Sequence, residues 1–198
     1  MLTQPVMNTP EISLSHLRAM TIEHGEGWGY PHVCRVLRLV QEIGADIPCD
    51  ENVIHYATYL HDWGAFPRYR QAGVDHALRS RQIAEMEILP HTDLTAPARQ
   101  AVLDAIALHD YRDKRPAYNE ALVLREADML DFLGVIGVAR EFAWGPNNLR
   151  TCYERILSRR SAITGHLTLP KAQEIAAKRL ASMEQTLHQL IEESFDIL

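Results

Sequence analysis

Tyr59-Leu60-His61-Asp62-Trp63-Gly64 is the most informative segment of this chain. An adjacent histidine and aspartate close a helical pattern and are followed almost at once by glycine. Neighbouring side chains on a helix diverge by about 100°. At a helix end, where the chain turns, both can still reach one ion. Imidazole and carboxylate together suit a first-row divalent metal. Asp50 is placed to N-cap a helix running from Glu51 to Asp62, since its short side chain can accept the orphan N–H groups of the first turn. Gly64 and Pro67 then force a loop.

Helical spacing continues on both sides of this segment. Leu14, Leu17 and Met20 mark a first helix. Val33, Val36, Leu37 and Val40 mark a second, with Pro31 in its opening turn. Ala77 to Ile88 reads as a fourth helix stopped by Pro90. Thr95 caps a fifth, and Asn119 caps a sixth that carries Leu122 to Leu130. Gly134 to Phe142 is an apolar helix closed by Gly145 and Pro146. Leu149 to Ser161 is an eighth, and Pro170 opens a long amphipathic tail helix. No alternating strand, hairpin turn, repeat or low-complexity tract interrupts the series. The fold class read from this pattern is all-α. One domain is expected over 1–198, with a core of about 14–145 and a helical C-terminal extension of about 149–196. The first eight or so residues are expected to be loose.

Composition narrows the function. The 198 residues are 46% hydrophobic and 23% charged, values of a globular chain rather than a disordered one. The formal net charge of −6 disfavours nucleic acid as a partner, because phosphate-backbone binding needs a basic face. No run approaches the ~18 apolar residues of a membrane span. Cys34, Cys49 and Cys152 have no metal-ligand spacing and cannot all pair with one another. With no signal peptide at the start, the expected location is the cytoplasm. The unusual feature of the composition is ten histidines.

Three further features raise the significance of His61-Asp62. His32 lies in His32-Val33-Cys34-Arg35-Val36, on the first turn of a helix. Asp128 lies in Glu126-Ala127-Asp128-Met129-Leu130-Asp131, among apolar neighbours where a carboxylate is costly unless paired or metal-bound. An ion pair with Arg35 or Arg125 is the alternative use of Asp128, and Asp131 competes for its role. Between these segments stand His76, after Asp75, and His109, before Asp110.

The order His32, His61-Asp62, Asp128 resembles the H…HD…D signature of the HD-domain superfamily of metal-dependent phosphohydrolases. The flanking text matches as well: H-V-C-R-V at 32–36, Y-L-H-D-W-G at 59–64 and E-A-D-M-L-D at 126–131. The likeness covers 28 to about 135, and the last 60 or so residues match only in being helical. It implies an HD-type helical bundle and a metal site of His32, His61, Asp62 and Asp128. His76 and His109 resemble members that hold two metals, with Asp62 bridging; Asp62, His76 and His109 would then be catalytic. Mn²⁺, Fe²⁺, Co²⁺, Ni²⁺ and Zn²⁺ all suit such a donor set, as one or two ions.

The implied activity is hydrolysis of a phosphate ester or anhydride of a small phosphorylated molecule, with a nucleotide as one such substrate. Metal-activated water would attack. Many members carry a lysine after the H-D-x-G turn, where this chain has Ala65. Arg68, or Arg70, could take over its charge, and Arg112 and Arg115 stand in the loop after His109. Arg68, Arg112 and Arg115 are therefore the candidate substrate-binding residues, since a guanidinium matches a pair of phosphate oxygens. Two alternatives remain open: an HD-type mixed-valence di-iron oxygenase, and a non-catalytic metal- or nucleotide-binding regulatory protein. The tail helix could equally serve as a homodimer element.

Overall fold

The computed structural model describes residues 11–145 and 148–198. The expected loose start and the stop at Pro146 lie outside the described residues. Among those residues the chain is all-α, with nine α-helices and no strand: α1 (Leu14–His24), α2 (Gly29–Ile43), α3 (Glu51–Leu60), α4 (His76–Ile83), α5 (Ala96–Ala107), α6 (Asn119–Asp131), α7 (Gly134–Trp144), α8 (Leu149–Thr164) and α9 (Pro170–Glu193). None of them is long and apolar enough to cross a membrane.

Helix α6 is the axis of the bundle. Every residue from Ala121 to Asp131 is buried, and α2, α3, α5, α7 and α9 all pack against it. The apolar stripe of α2 (Val33, Val36, Val40, Ile43) is buried at helical spacing, as an amphipathic helix on a core requires. The main core runs from Leu17 in α1 to Ala176 in α9. A smaller apolar group of Val138, Ile156, Met183 and Leu187 joins α7, α8 and α9.

A fully buried helix can carry charged side chains only if each finds partners. Arg125 donates to the carbonyls of Leu108, Tyr111, Asp113 and Lys114, which pins the loop after α5. Glu126 accepts from Thr168 N, Thr168 Oγ1 and Leu169 N at 2.6–2.9 Å, which fixes the entry to α9. Arg125 is thereby committed elsewhere and does not pair with Asp128.

Local signals place most helix starts. Asp50 accepts from Asn52 N and Val53 N, and Thr95 from Ala98 N. Asn119 is a correction: it is the first residue of α6, not its cap. Its Nδ2 donates instead to Pro48 O at 2.8 Å, while the neighbouring Glu120 accepts from Asp50 N. The pair ties the start of α6 to the loop before α3. Two boundaries also shift. Helix α3 ends at Leu60, so His61 is its C-cap and Asp62 precedes a 3₁₀ turn over Trp63–Ala65. Helix α4 starts at His76 behind an Asp75 cap. From Ala84 to Ile88 the expected α-helix becomes a π-turn.

Candidate metal centre

Three chain segments deliver four polar side chains to one point. His32 comes from the first turn of α2, His61 and Asp62 from the end of α3, and Asp128 from α6. His32 Nε2 lies 3.0 Å from His61 Nε2, 3.4 Å from Asp62 Oδ2 and 3.3 Å from Asp128 Oδ1. His61 Nε2 lies 3.8 and 3.9 Å from the same two oxygens. Donor atoms about 2.1 Å from one metal stand roughly 3.0–3.4 Å apart, so these four atoms sit at or just beyond ligand spacing.

Asp62 faces two ways. Its Oδ1 points to a second pair, 3.6 Å from His76 Nε2 and 3.7 Å from His109 Nε2, which are themselves 3.2 Å apart. His32, His61 and Asp62 form one group able to hold an ion; Asp62, His76 and His109 form another. The structure thus brings together all six residues that the sequence singles out as ligands.

The hydrogen bonds on the far side of each ring show what these atoms are prepared for. His32 Nδ1 meets the Asp131 carboxylate at 2.8 Å, His61 Nδ1 the Thr58 carbonyl at 2.8 Å, and His109 Nδ1 the Ile106 carbonyl at 2.7 Å. Carboxylates and carbonyls only accept here, so each Nδ1 carries the proton. In a neutral ring the Nε2 lone pair then faces inward. Outer hydrogen bonds of this kind orient histidine ligands in metal sites. Buried Asp128 Oδ1 accepts no well-formed hydrogen bond and has beside it only His32 Nε2 at 3.3 Å and His61 Nε2 at 3.9 Å, a costly state for a carboxylate oxygen unless a metal ion or a protonated imidazole satisfies it. The donor set and this orphaned oxygen both fit a divalent ion.

Without metal, protons partly fill the role. Burial opposes charge on His32, but Asp128 and Asp131 outweigh it and raise its pKa to about 9. His109 is raised to about 9 by Asp62, again against burial. Burial pushes His61 down to about 4, so it stays neutral. Asp62 is held well below the carboxylate range; burial resists this, and His61, His109, His32 and His76 overcome it.

Asp131, weighed from sequence as a rival ligand, has a different position. It is fully buried and accepts from His32 Nδ1, from Arg35 through Nε (2.7 Å) and Nη2 (2.9 Å), and from Arg140 Nη1 (2.6 Å). Arg35 therefore pairs with Asp131, not with Asp128. Gly64 sets the second group: a Cβ there would lie 2.2 Å from His76 O and 2.7 Å from Ser80 N. Only glycine lets the first turn of α4 close on the His61-Asp62 turn, where Gly64 N also donates to Ser80 Oγ at 2.8 Å.

The three candidate arginines differ in position. Arg112 pairs through its guanidinium with Asp110, whose Oδ2 is 3.9 Å from His76 Nε2, so it sits at the rim. Arg68 is exposed over the Tyr69 ring, and Arg115 is exposed; no hydrogen bond or ion pair links either to the cluster. Two cations that sequence reasoning missed share a cleft with Asp62. A cleft of about 340 Å³ opens at Asp62 and Ala65 and is lined by Trp28, Phe132, Arg140 and Arg159 among others. Arg140 and Arg159 belong to α7 and α8, beyond every motif, and no local pattern marks them.

The HD domain family model matches residues 29–133. Among solved structures, YpgQ of Bacillus subtilis is 20% identical with a TM-score of 0.70, covering 91% of this chain and 94% of its own. The same protein in complex with ADP gives 20% and 0.69, covering 91% and 97%. A predicted HD superfamily hydrolase from an uncultured Thermotogales bacterium is 22% identical with a TM-score of 0.66, covering 91% and 92%. At these identities the likeness establishes the shared fold. No curated protein matches the sequence significantly. With more than half of its length matched by the model, and with the helical bundle and the His/Asp cluster in place, this chain belongs to the HD-domain family.

Proposed function

We propose that the protein is a metal-dependent phosphohydrolase that cleaves a phosphate ester or anhydride of a small molecule, a nucleotide being the favoured type. One observation carries the reading. Two histidine groups share the Asp62 carboxylate, and that carboxylate opens into a cleft containing arginines. The family supports hydrolysis, and the ADP complex of YpgQ supports a nucleotide-type ligand.

In this reading His32, His61, Asp62 and Asp128 would hold the first ion. Asp62, His76 and His109 would hold the second. A bound divalent ion from the manganese-to-zinc series supplies a lowered pKa for water and neutralises phosphoryl charge. The protein's residues do the rest. Asp131, braced by Arg35 and Arg140, keeps the His32 ring aimed inward. The carbonyls of Thr58 and Ile106 do the same for His61 and His109. Water adds across the P–O bond, and the oxygen of the departing group takes up a proton. Arg112 at the rim offsets charge as the product leaves, and preorganised cations of this kind stabilise a phosphoryl transition state.

The test is a turnover panel. Chelated protein is reloaded with each metal in turn and offered p-nitrophenyl phosphate and nucleoside mono-, di- and triphosphates, with phosphate release as the readout. Metal-restored release from at least one compound, lost again with EDTA, is expected. Folded, metal-loaded protein that turns over none of them would refute the proposal.

A further inference from the structure

We infer that the cleft beside Asp62 is a nucleoside-phosphate subsite: Trp144 offers the face for the base, and Arg140 and Arg159 hold phosphate oxygens away from the reacting bond. The inference deepens the phosphohydrolase reading and rests on it for the identity of the reacting end.

Four observations carry it. The cleft of about 340 Å³ falls within the roughly 300–1,000 Å³ range of small-molecule pockets. It runs from Asp62 and Ala65 to Trp144, so one ligand could touch the candidate metal centre and the indole together. Trp144 is 72% exposed and adds nothing to the core, since α7 buries only Gly134, Gly137, Val138 and Glu141. An exposed indole at the mouth of a cleft is a ready stacking surface, because every nucleobase has a π face.

The cations are also arranged for an anion. Phe132 is flanked by Arg140 at 4.4 Å and Arg159 at 4.9 Å from its ring centroid, which fixes both guanidiniums in place. Asp131 meets Arg35 and Arg140, while buried Glu141 meets Arg155 and Arg159. Each of these carboxylates is shared between two guanidiniums, so neither Arg140 nor Arg159 is neutralised by an acid of its own. Arg140 and Arg159 each use only Nη1 for these bonds. Their remaining N–H donors are available to an incoming phosphate.

The experiment measures equilibrium binding to Mn²⁺-loaded protein with non-hydrolysable probes: α,β-methylene-ADP, and methylenediphosphonate as the same anion without a nucleoside. Wild type should bind the nucleotide analogue more tightly. Trp144→Ala should weaken it roughly 5- to 150-fold, the range for losing one stacked base. It should change diphosphonate binding less than twofold, and Trp144→Phe should recover most of the loss. Arg159→Gln should weaken both probes, with Arg155 left to satisfy Glu141.

Equal affinity of wild type for both probes, or an unchanged nucleotide affinity in Trp144→Ala, would overturn the inference. Were the protein still to hydrolyse a phosphate compound, the reading of its activity would survive that failure. Trp144-dependent nucleotide binding without turnover of any phosphate compound would instead remove the hydrolase reading and keep the subsite.

Discussion

Replacing Asp131 with asparagine separates the support of the metal centre from its ligands. Asp131 touches none of the inward-facing donor atoms, yet it accepts the Nδ1 proton of His32, two bonds from Arg35 and one from Arg140. Asparagine keeps the volume and removes the charge. Partners of this kind typically account for 10- to 100-fold in metal affinity, which is about 1.4–2.7 kcal/mol. Breaking a buried charge pair also costs roughly 3–5 kcal/mol of stability, so a second variant is needed to separate the effects. Glu141→Gln is suitable, because Glu141 is equally buried and also held by two arginines, but it contacts no histidine of the cluster. Chelator-competition titrations on both folded variants would decide. Asp131→Asn should lose 10- to 100-fold in metal affinity and Glu141→Gln less than twofold. Equal losses in the two, or wild-type affinity in Asp131→Asn, would refute the positioning role.

Other predictions follow from the same geometry. His76→Ala should lower the metal content by about one ion per chain and reduce turnover, whereas loss of rate at unchanged metal content would assign His76 to substrate or water. Gly64→Ala should destabilise the fold by roughly 1–3 kcal/mol, the usual cost of overpacking, and weaken the second group, because the new Cβ meets α4 backbone; unfolding of a metal-free sample checks this, and an unchanged midpoint would contradict it. In the metal-free protein, His32 and His109 have pKa values raised to about 9. The stability from those protons is full below about pH 6.5 and is lost as pH rises through 9. Metal must displace the same protons, so apparent affinity should climb across that window with proton release. A flat affinity from pH 6.5 to 9 would contradict the shared use of these nitrogens.

The all-α class and the six candidate metal-site residues were readable in the chain because their signals are local. His61-Asp62 closes a capped helix, and Asp128 lies in an apolar stretch that makes an unpaired carboxylate expensive. Asp131 stands three residues on, close to the same helix face, so its proximity to the site was visible. Its task was not: that depends on where the α2 ring places Nδ1. Arg140, Arg159 and Trp144 escaped because α7 and α8 carry no motif, and only long-range packing brings them to Asp62. Asn119 misled because its residue type favours capping, whereas tertiary contact with Pro48 O claimed its side chain. The π-turn at Ala84–Ile88 left no trace in a pattern read at 3.6 residues per turn.

The most direct test of the account is metal stoichiometry by mass spectrometry on wild type and Asp62→Ala, each stripped with chelator and reloaded. Among the described residues, Asp62 is the one whose two oxygens face both histidine groups. Wild type should hold one to two divalent ions per chain, and folded Asp62→Ala should retain far less at the same free metal concentration. Wild-type metal content in Asp62→Ala, or a wild type that binds no divalent ion when reloaded, would contradict the account.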